Sequence, residues 1–399
     1  MYRGVDGTSR IVFLWPVPRT EPTAAARRLS GFEDAAHELG LTSIAIVPKR
    51  RNETRDGASA VSCLTLGVYD SHVARYGPAF AVAALPWSTL RLIRVLRTLR
   101  CSCVVASSPA PLTPLQAVIA SKVLGCPSVF DVRDSWKMEE VTHRGRLRNR
   151  IKRGIEGATA RSATRVFAVT RRLARDLEEQ HGLTGGTIAV VPNGADFSEF
   201  GHPGDARDID LIFLGSPAKY RNIYGVLESI VALRRLRPTL TAIFLGWGNA
   251  PGASLIRDRL RTLNLSTSVE LVSVVPQGQV LPYLRRARLG IVSISNEEVF
   301  RAAVGAKTYE YLAAGVPLAC LGPPGDSELR SLVGDNHVGF YASTPEEFAA
   351  SANALLSDSQ KWEHVVANCS AAARNFDRRT VAREALQHYV IPLLNSERD

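Results

Sequence analysis

Long apolar runs are missing from this 399-residue chain. No stretch of about 18 uncharged apolar residues occurs, so the sequence offers no candidate for a membrane-spanning helix. The most apolar segment, AFAVAALPW (79–87), is short and interrupted by Pro86. The opening MYRGVDGTSR leads into IVFLWPV without the length or cleavage site of a signal peptide, and a cytoplasmic protein is expected. Cysteine is sparse, with six residues, no metal-ligand spacing and one close pair, Cys101 and Cys103. Free buried thiols in a reducing compartment follow as the expectation. No Ser/His/Asp or Cys/His grouping stands out among the eight dispersed histidines; His143 and His181 read as surface residues. Zinc-finger spacing, an aromatic RNA-binding signature and a helix-turn-helix are also lacking, so no nucleic-acid partner is expected.

What is present is an ordinary globular balance, 45% hydrophobic and 22% charged, long enough for two cores. The formal net charge of +11 comes largely from arginine at 91–100 and 144–165. Anionic lipid or a phosphorylated substrate could be drawn to such a surface. In LRLIRVLRTLR (90–100), Leu92, Val95, Leu96 and Leu99 share one helical arc and four arginines the other. Such a helix can lie in an anionic membrane surface or pack its apolar arc on a sheet with its arginines solvated.

Short apolar runs alternate with helical patterns almost throughout. Strand candidates are IVFLWPV (11–17), LTSIAIVP (41–48), CVVASS (103–108), PSVFDVRD (127–134), RVFAVT (165–170) and TIAVVPNG (187–194). A helical stripe of Leu29, Phe32, Ala36 and Leu39, closed by Gly40, lies between the first two. After the polar break FGHPGDARD (200–208) the pattern restarts with DLIFLGS, TAIFLGWG, VELVSVV, LGIVSIS, VPLACLG and VGFYAS. Near-continuous apolar strands with intervening helices predict an α/β protein of two doubly wound parallel sheets. The expected domains are 1–199, 200–375 and a C-terminal helix at 376–399 that packs back on the first, with ligands at the strands' C-terminal ends.

The segment VFRAAVGAKTYEYLAAGVPLAC (299–320) carries the clearest chemistry. Lys307 falls in the first turn of its predicted helix, where a cation opposes the macrodipole unless an anion is bound. Free amides at a helix N-terminus bind phosphate. Glu310, one turn on, can accept two hydrogen bonds from vicinal ribose hydroxyls. The alternative is a Lys–Glu surface pair at i,i+3, in the less favourable order. Asp131, Arg133 and Asp134 end a predicted strand, and alternation puts Asp131 and Arg133 on one side. They suit either acceptor orientation or a structural Asp–Arg pair.

AKTYEYLAAGVPLAC resembles the donor-binding segment of family 4 glycosyltransferases of the GT-B fold, with the form K-x-x-E-(Y/A)-x-A-x-G-x-P. SSPAPLTPLQAVIASKVLGCPSVFDVRDSW (107–136), the stretch leading to PNGAD (192–196), and LIFLGS followed by IFLGWG match other segments of that family in order. The resemblance implies two Rossmann-like domains facing each other across a cleft. It implies an acceptor-binding N-terminal domain, a C-terminal domain that holds a nucleotide-diphosphate sugar such as a UDP-sugar, and retaining transfer without a cofactor or metal.

Carried onto this chain, the donor set is Gly215, Ser216, Lys219, Arg221, Gly246, Lys307, Thr308 and Glu310. The catalytic set is Asp131, Arg133, Asp134 and Glu298. Ser216 and Asn222 stand where relatives carry basic residues. Ala302 stands where many carry a glutamate, and Glu297 or Glu298 could substitute or be solvated loop acids. The acceptor implied is a lipid-linked saccharide in surface polysaccharide assembly, with peripheral contact at an anionic membrane. A soluble small-molecule acceptor and a catalytically silent nucleotide-sugar-binding relative are the alternatives.

Overall fold

The structure is a computed structural model that describes residues 9–17, 23–47, 83–108, 110, 112–134, 146–197, 207–215, 221–250 and 252–395. Contacts divide it into two units, Met1–Pro192 with Arg378–Asp399, and Asn193–Asp377.

Unit 1 holds six parallel strands: β1 (Arg10–Leu14), β2 (Thr42–Ile46), β3 (Cys101–Ser107), β4 (Ser128–Val132), β5 (Arg165–Ala168) and β6 (Ile188–Val190). They are ordered β2-β1-β3-β4-β5-β6. Unit 2 holds β7 (Ile209–Leu214), β8 (Ala242–Leu245), β9 (Val269–Val272), β10 (Ala287–Ser293), β11 (Leu318–Leu321) and β12 (Gly339–Ala342). Their order is β12-β11-β10-β7-β8-β9, again all parallel. All twelve strands coincide with the apolar runs of the sequence. Each sheet reverses its winding once, between β1 and β3 and between β7 and β10. Such reversals leave a crevice beyond the strands' C-terminal ends, the usual ligand position in open α/β sheets.

Alternation along the strands explains the apolar runs. Ile11, Phe13, Cys103, Val105 and Val129 face one core, while Val12, Leu14, Val104 and Ala106 face another. Both faces are covered, so neither can be polar. Helix Ala24–Glu38, capped by Thr23 on the Ala26 amide, supplies Leu29, Phe32 and Ala36 to the first core. Phe32 stacks on Phe167 with centroids 6.4 Å apart, and the Trp15 indole donates to Ala25 O at 2.8 Å.

Val381, Leu386, Val390 and Leu394 of the C-terminal segment complete that core. Helix Arg378–Ala385 approaches helix Ala24–Glu38 so closely that a Cβ at Gly31 would stand 2.7 Å from Arg378 Cγ. The tail thus begins at Arg378 rather than 376, and unit 1 gives way to unit 2 after Pro192 rather than 199. The reason is local: Ala195 bridges Asp377, its amide donates to Phe376 O at 3.2 Å, and the Phe197 amide donates to Asp377.

The second core is closed by helices Leu85–Thr98 and Leu112–Leu124. Pro86 sits in the first turn of the former, where a missing amide costs nothing, so it starts this helix instead of breaking it. Leu386 is fully buried. Leu386→Ala is expected to cost about 2–5 kcal/mol in denaturant unfolding; a loss below about 1 kcal/mol would show the tail to be outside the core.

Candidate functional site

In unit 2 the site residues gather at the reversal between β7 and β10. β7 ends at Leu214 and the chain turns at Gly215, whose φ of 128° suits glycine. The Arg221 guanidinium lies against this turn: it donates to Leu214 O at 3.0 Å, and a Cβ on Gly215 would come within 2.5 Å of it. On the neighbouring strand Gly246 has φ 94°, and its Cβ would stand 2.3 Å from Gly215 O. Side chains are therefore excluded at both strand ends, where Arg221 packs on Gly215 and Gly215 O on the buried Gly246. Ser216 and Lys219 lie outside the described residues. Asn222, where relatives place a base, caps helix Ile223–Leu236 by accepting from the Gly225 amide.

Helix Ala306–Ala313 forms the other wall. Its N-cap, Gly305, supplies no side-chain hydrogen bond, and its first turn holds no acid. Its opening amides thus lack the usual capping oxygen. Tyr311 fixes the helix to β7, accepting from the Leu214 amide at 2.8 Å and donating to Ile212 O at 3.2 Å. Gly290 on β10 makes room, since a Cβ there would fall 2.6 Å from the Tyr311 ring. Burial pushes the Tyr311 hydroxyl far above the usual phenol range, and the charges of Arg221 and Glu310 both act on it. The end of β7 and this helix therefore meet in one place.

Glu310 is 1% exposed, and the Lys307 ammonium reaches its Oε2 at 3.3 Å with the lysine side chain 32% exposed. The pair joins a buried carboxylate to a half-buried cation and is not the solvated surface pair of the alternative reading. Thr308 is fully buried, and its hydroxyl has no hydrogen-bond partner among the described residues. Glu297 and Glu298 are exposed. Glu298 opens the 3-10 turn Glu298–Ala302, whereas Ala302 closes it and is buried. The two positions thus differ in exposure, an exposed acid at the start of the turn and a buried alanine at its end.

In unit 1 the strand ends are polar too, but differently employed. Asp131 is fully buried at the end of β4. Arg28 grips both its oxygens, at 3.1 and 2.7 Å, and Ser107 donates to it at 2.8 Å. Arg28 also donates to Val191 O and Pro192 O, tying helix Ala24–Glu38 to the exits of β4 and β6. Asp131 is thus corrected from an acceptor-contacting group to an anchor, with Arg28 as its partner and not Arg133. Arg133 lies beyond the end of β4, where alternation no longer applies. Its Nε and Nη2 fold back on Ser108 O at 3.1 and 2.8 Å, and burial lowers its pKa from the ordinary value. Asp134 is exposed.

Sequence reasoning missed Arg28, although an arginine on the same stripe as Phe32 signals a buried acid; its guanidinium lies 5.4 Å from the Phe32 ring centroid. His181 is buried against Glu156, correcting its reading as a surface residue; His143 lies outside the described residues.

The arc Leu92, Val95, Leu96 and Leu99 packs on the sheet, the second of the two readings the sequence allowed. A different apolar set is exposed: Trp87 and Leu90 on this helix, Ile119 and Val123 on Leu112–Leu124, and Leu147 and Ile151 on helix Arg146–Ser162. Helix Leu112–Leu124 packs against both others, and Arg91 lies over the Trp87 ring at 5.5 Å. Among the described residues no helix is long and apolar enough to cross a membrane.

Removing Arg28 would strand the Asp131 carboxylate. Arg28→Met is expected to cost about 3–5 kcal/mol of stability; unfolding at the parent denaturant midpoint would refute the anchoring role.

Residues 27–199 match the Glycosyltransferase Family 4 description and residues 208–358 the description Glycosyl transferases group 1. D-inositol 3-phosphate glycosyltransferase of Nocardiopsis dassonvillei is 25% identical over 223 residues, 51% of this chain and 50% of that protein. The chain thus spans about half the length of this curated relative. Sucrose-phosphate synthase from Thermosynechococcus elongatus superposes with a TM-score of 0.73 at 13% identity, covering 96% of this chain and 99% of that one. Anabaena HepE, solved with UDP and glucose, gives 0.69 at 15% identity, covering 96% and 100%. These two likenesses show the fold. With one family match over each sheet, the chain belongs to the family 4 glycosyltransferases and has the GT-B fold.

Proposed function

We propose that the chain transfers a sugar from a nucleotide-diphosphate sugar, a UDP-sugar, to a hydroxyl acceptor with retention at the anomeric carbon. The observation that carries this reading is the Lys307–Glu310 pair at an uncapped helix start, held against the strand reversal of unit 2. The solved complexes of Anabaena HepE with UDP and with UDP-glucose support the choice of donor. As donor binds, Lys307 exchanges Glu310 for a phosphate oxygen, and Glu310 accepts hydrogen bonds from the ribose hydroxyls. Lys307, Arg221, Lys219 and the amides at the helix start, which no side chain caps, then stabilise charge that grows on the departing diphosphate. Cationic side chains take the part a metal would play. The leaving oxygen accepts the proton of the acceptor hydroxyl as the new glycosidic bond forms on the same face. Thr308, whose buried hydroxyl has no hydrogen-bond partner among the described residues, is assigned to the donor's phosphate.

Two acceptor classes are open to this chemistry. The exposed apolar and basic helices of unit 1 favour a lipid-linked saccharide in surface glycoconjugate assembly, met at the inner face of an anionic membrane. The inositol phosphate relative favours a soluble acceptor. Ala302 in place of a glutamate also permits a silent nucleotide-sugar binder, which sugar transfer by the purified protein would exclude.

Glu310→Gln is expected to lower turnover at subsaturating donor about 10- to 100-fold with an unchanged unfolding temperature. Equal rates for variant and parent would sink the assignment. Co-sedimentation with phosphatidylglycerol vesicles, falling as salt rises, is expected from the membrane reading. Trp87→Ala/Leu90→Ala should weaken it, and sedimentation that this double variant leaves intact would contradict that surface.

A further inference from the structure

Helix Arg146–Ser162 carries Arg150, Gly154, Gly157 and Arg161 at helical spacing, so they share one face. Helix Arg171–His181 packs beside it. Between them lies a cavity of about 280 Å³ whose lining includes Arg150, Arg153, Arg161 and His181. The glycines make it. A Cβ at Gly154 would meet nothing within 4 Å, and one at Gly157 would stand 2.6 Å from His181 Nδ1 and 3.1 Å from Arg161 Nη1.

The floor is built and fixed. His181 is 8% exposed, and its Nε2 lies 3.2 Å from Oε2 of the buried Glu156. That contact occupies one ring nitrogen, while the other, Nδ1, is the one nearest Gly157. Arg161 Nη1 donates to His181 O at 3.2 Å, which holds its guanidinium at the rim. Three arginines line the cavity, and no lining side chain among the described residues is a carboxylate. Like charges gathered around a concavity concentrate anions, and planar guanidinium forks bind the oxygens of phosphate, as of carboxylate, in pairs.

We propose that this cavity binds a phosphate group, as a monoester or diester, through Arg150, Arg153 and Arg161 over the His181 ring. The proposal stands apart from the donor reading, because every residue in it belongs to unit 1. The phosphate has two possible sources. Leu147 and Ile151 are exposed on the same helix, so a phospholipid headgroup could enter with its chains over them; a soluble phosphorylated compound would use the same guanidinium groups.

The test follows histidine ring signals by NMR as inorganic phosphate is added to the full chain. One histidine signal is expected to move saturably in the parent. Its midpoint should rise about tenfold or more in Arg150→Gln/Arg161→Gln, as charge-assisted bonds are lost. Glu310→Ala, which disables the donor site, should leave the midpoint unchanged. Arg150→Lys/Arg161→Lys keeps the charge and guards against a folding artefact; an intermediate midpoint is expected. A parent in which no histidine signal moves, or a midpoint indifferent to the Gln variant, overturns the site. Vesicles of phosphatidylglycerol then separate the sources. Sedimentation weakened by the Gln variant assigns a headgroup, and sedimentation equal to the parent's, beside a shifted phosphate midpoint, assigns a soluble phosphate.

Discussion

The hydroxyl of Tyr311 holds the candidate donor site together. It takes the last amide of β7 and gives its own proton to Ile212 O, so one side chain fastens helix Ala306–Ala313 across the reversal of the second sheet. Everything nearby is arranged around that fastening. Gly290 yields space for the ring, Glu310 is carried inward by its place beside Tyr311, and Lys307 is left half-buried above it. Because burial keeps the phenol protonated, the clamp persists across the pH range in which proteins work. The helix can therefore spend its N-terminal amides on a ligand and not on its own capping.

The two sheets build their strand ends differently. In unit 2 they carry glycines, Gly215 under the Arg221 guanidinium and Gly246 against Gly215 O. In unit 1 they are filled: Arg28, Ser107 and Asp131 satisfy one another and lock three segments distant in sequence. A buried ion pair of this kind adds little net stability over apolar packing, but it penalises any arrangement that separates its members. The result is a stiff floor at the end of β3 and β4, on which Arg133 folds back over Ser108.

Much of the architecture was legible in the sequence because parallel strands buried on both faces must be apolar throughout, as in RIVFL or AIFL. The Lys307–Glu310 ion pair was legible only as the alternative to a donor-binding role, since i,i+3 spacing survives any tertiary context that keeps the helix; the burial of Glu310 was not. Other readings failed for definite reasons. Alternation linked Asp131 to Arg133, yet β4 stops at Val132 and the next residue bends away. The partner of Asp131 lies on another helix far upstream, and only the anomaly of an arginine on an apolar stripe hints at it. Period alone could not decide the fate of Leu92 and Leu96, because a sheet and a bilayer surface ask for the same stripe. Nor does sequence spacing reveal that Gly154 and Gly157 line a basic cavity, which needs the second helix to exist.

The way unit 1 is assembled has a consequence for biosynthesis. Its core contains Val381, Leu386, Val390 and Leu394, which are translated after the whole of Asn193–Asp377. Domains emerging from a ribosome commonly fold in N-to-C order, but here the uninterrupted second unit can be finished while the first still lacks part of its interior. Nascent chains would then carry an open apolar groove beside Phe13, Phe32 and Phe167 until residues 378–395 emerge, making the docking of that segment the step that completes unit 1.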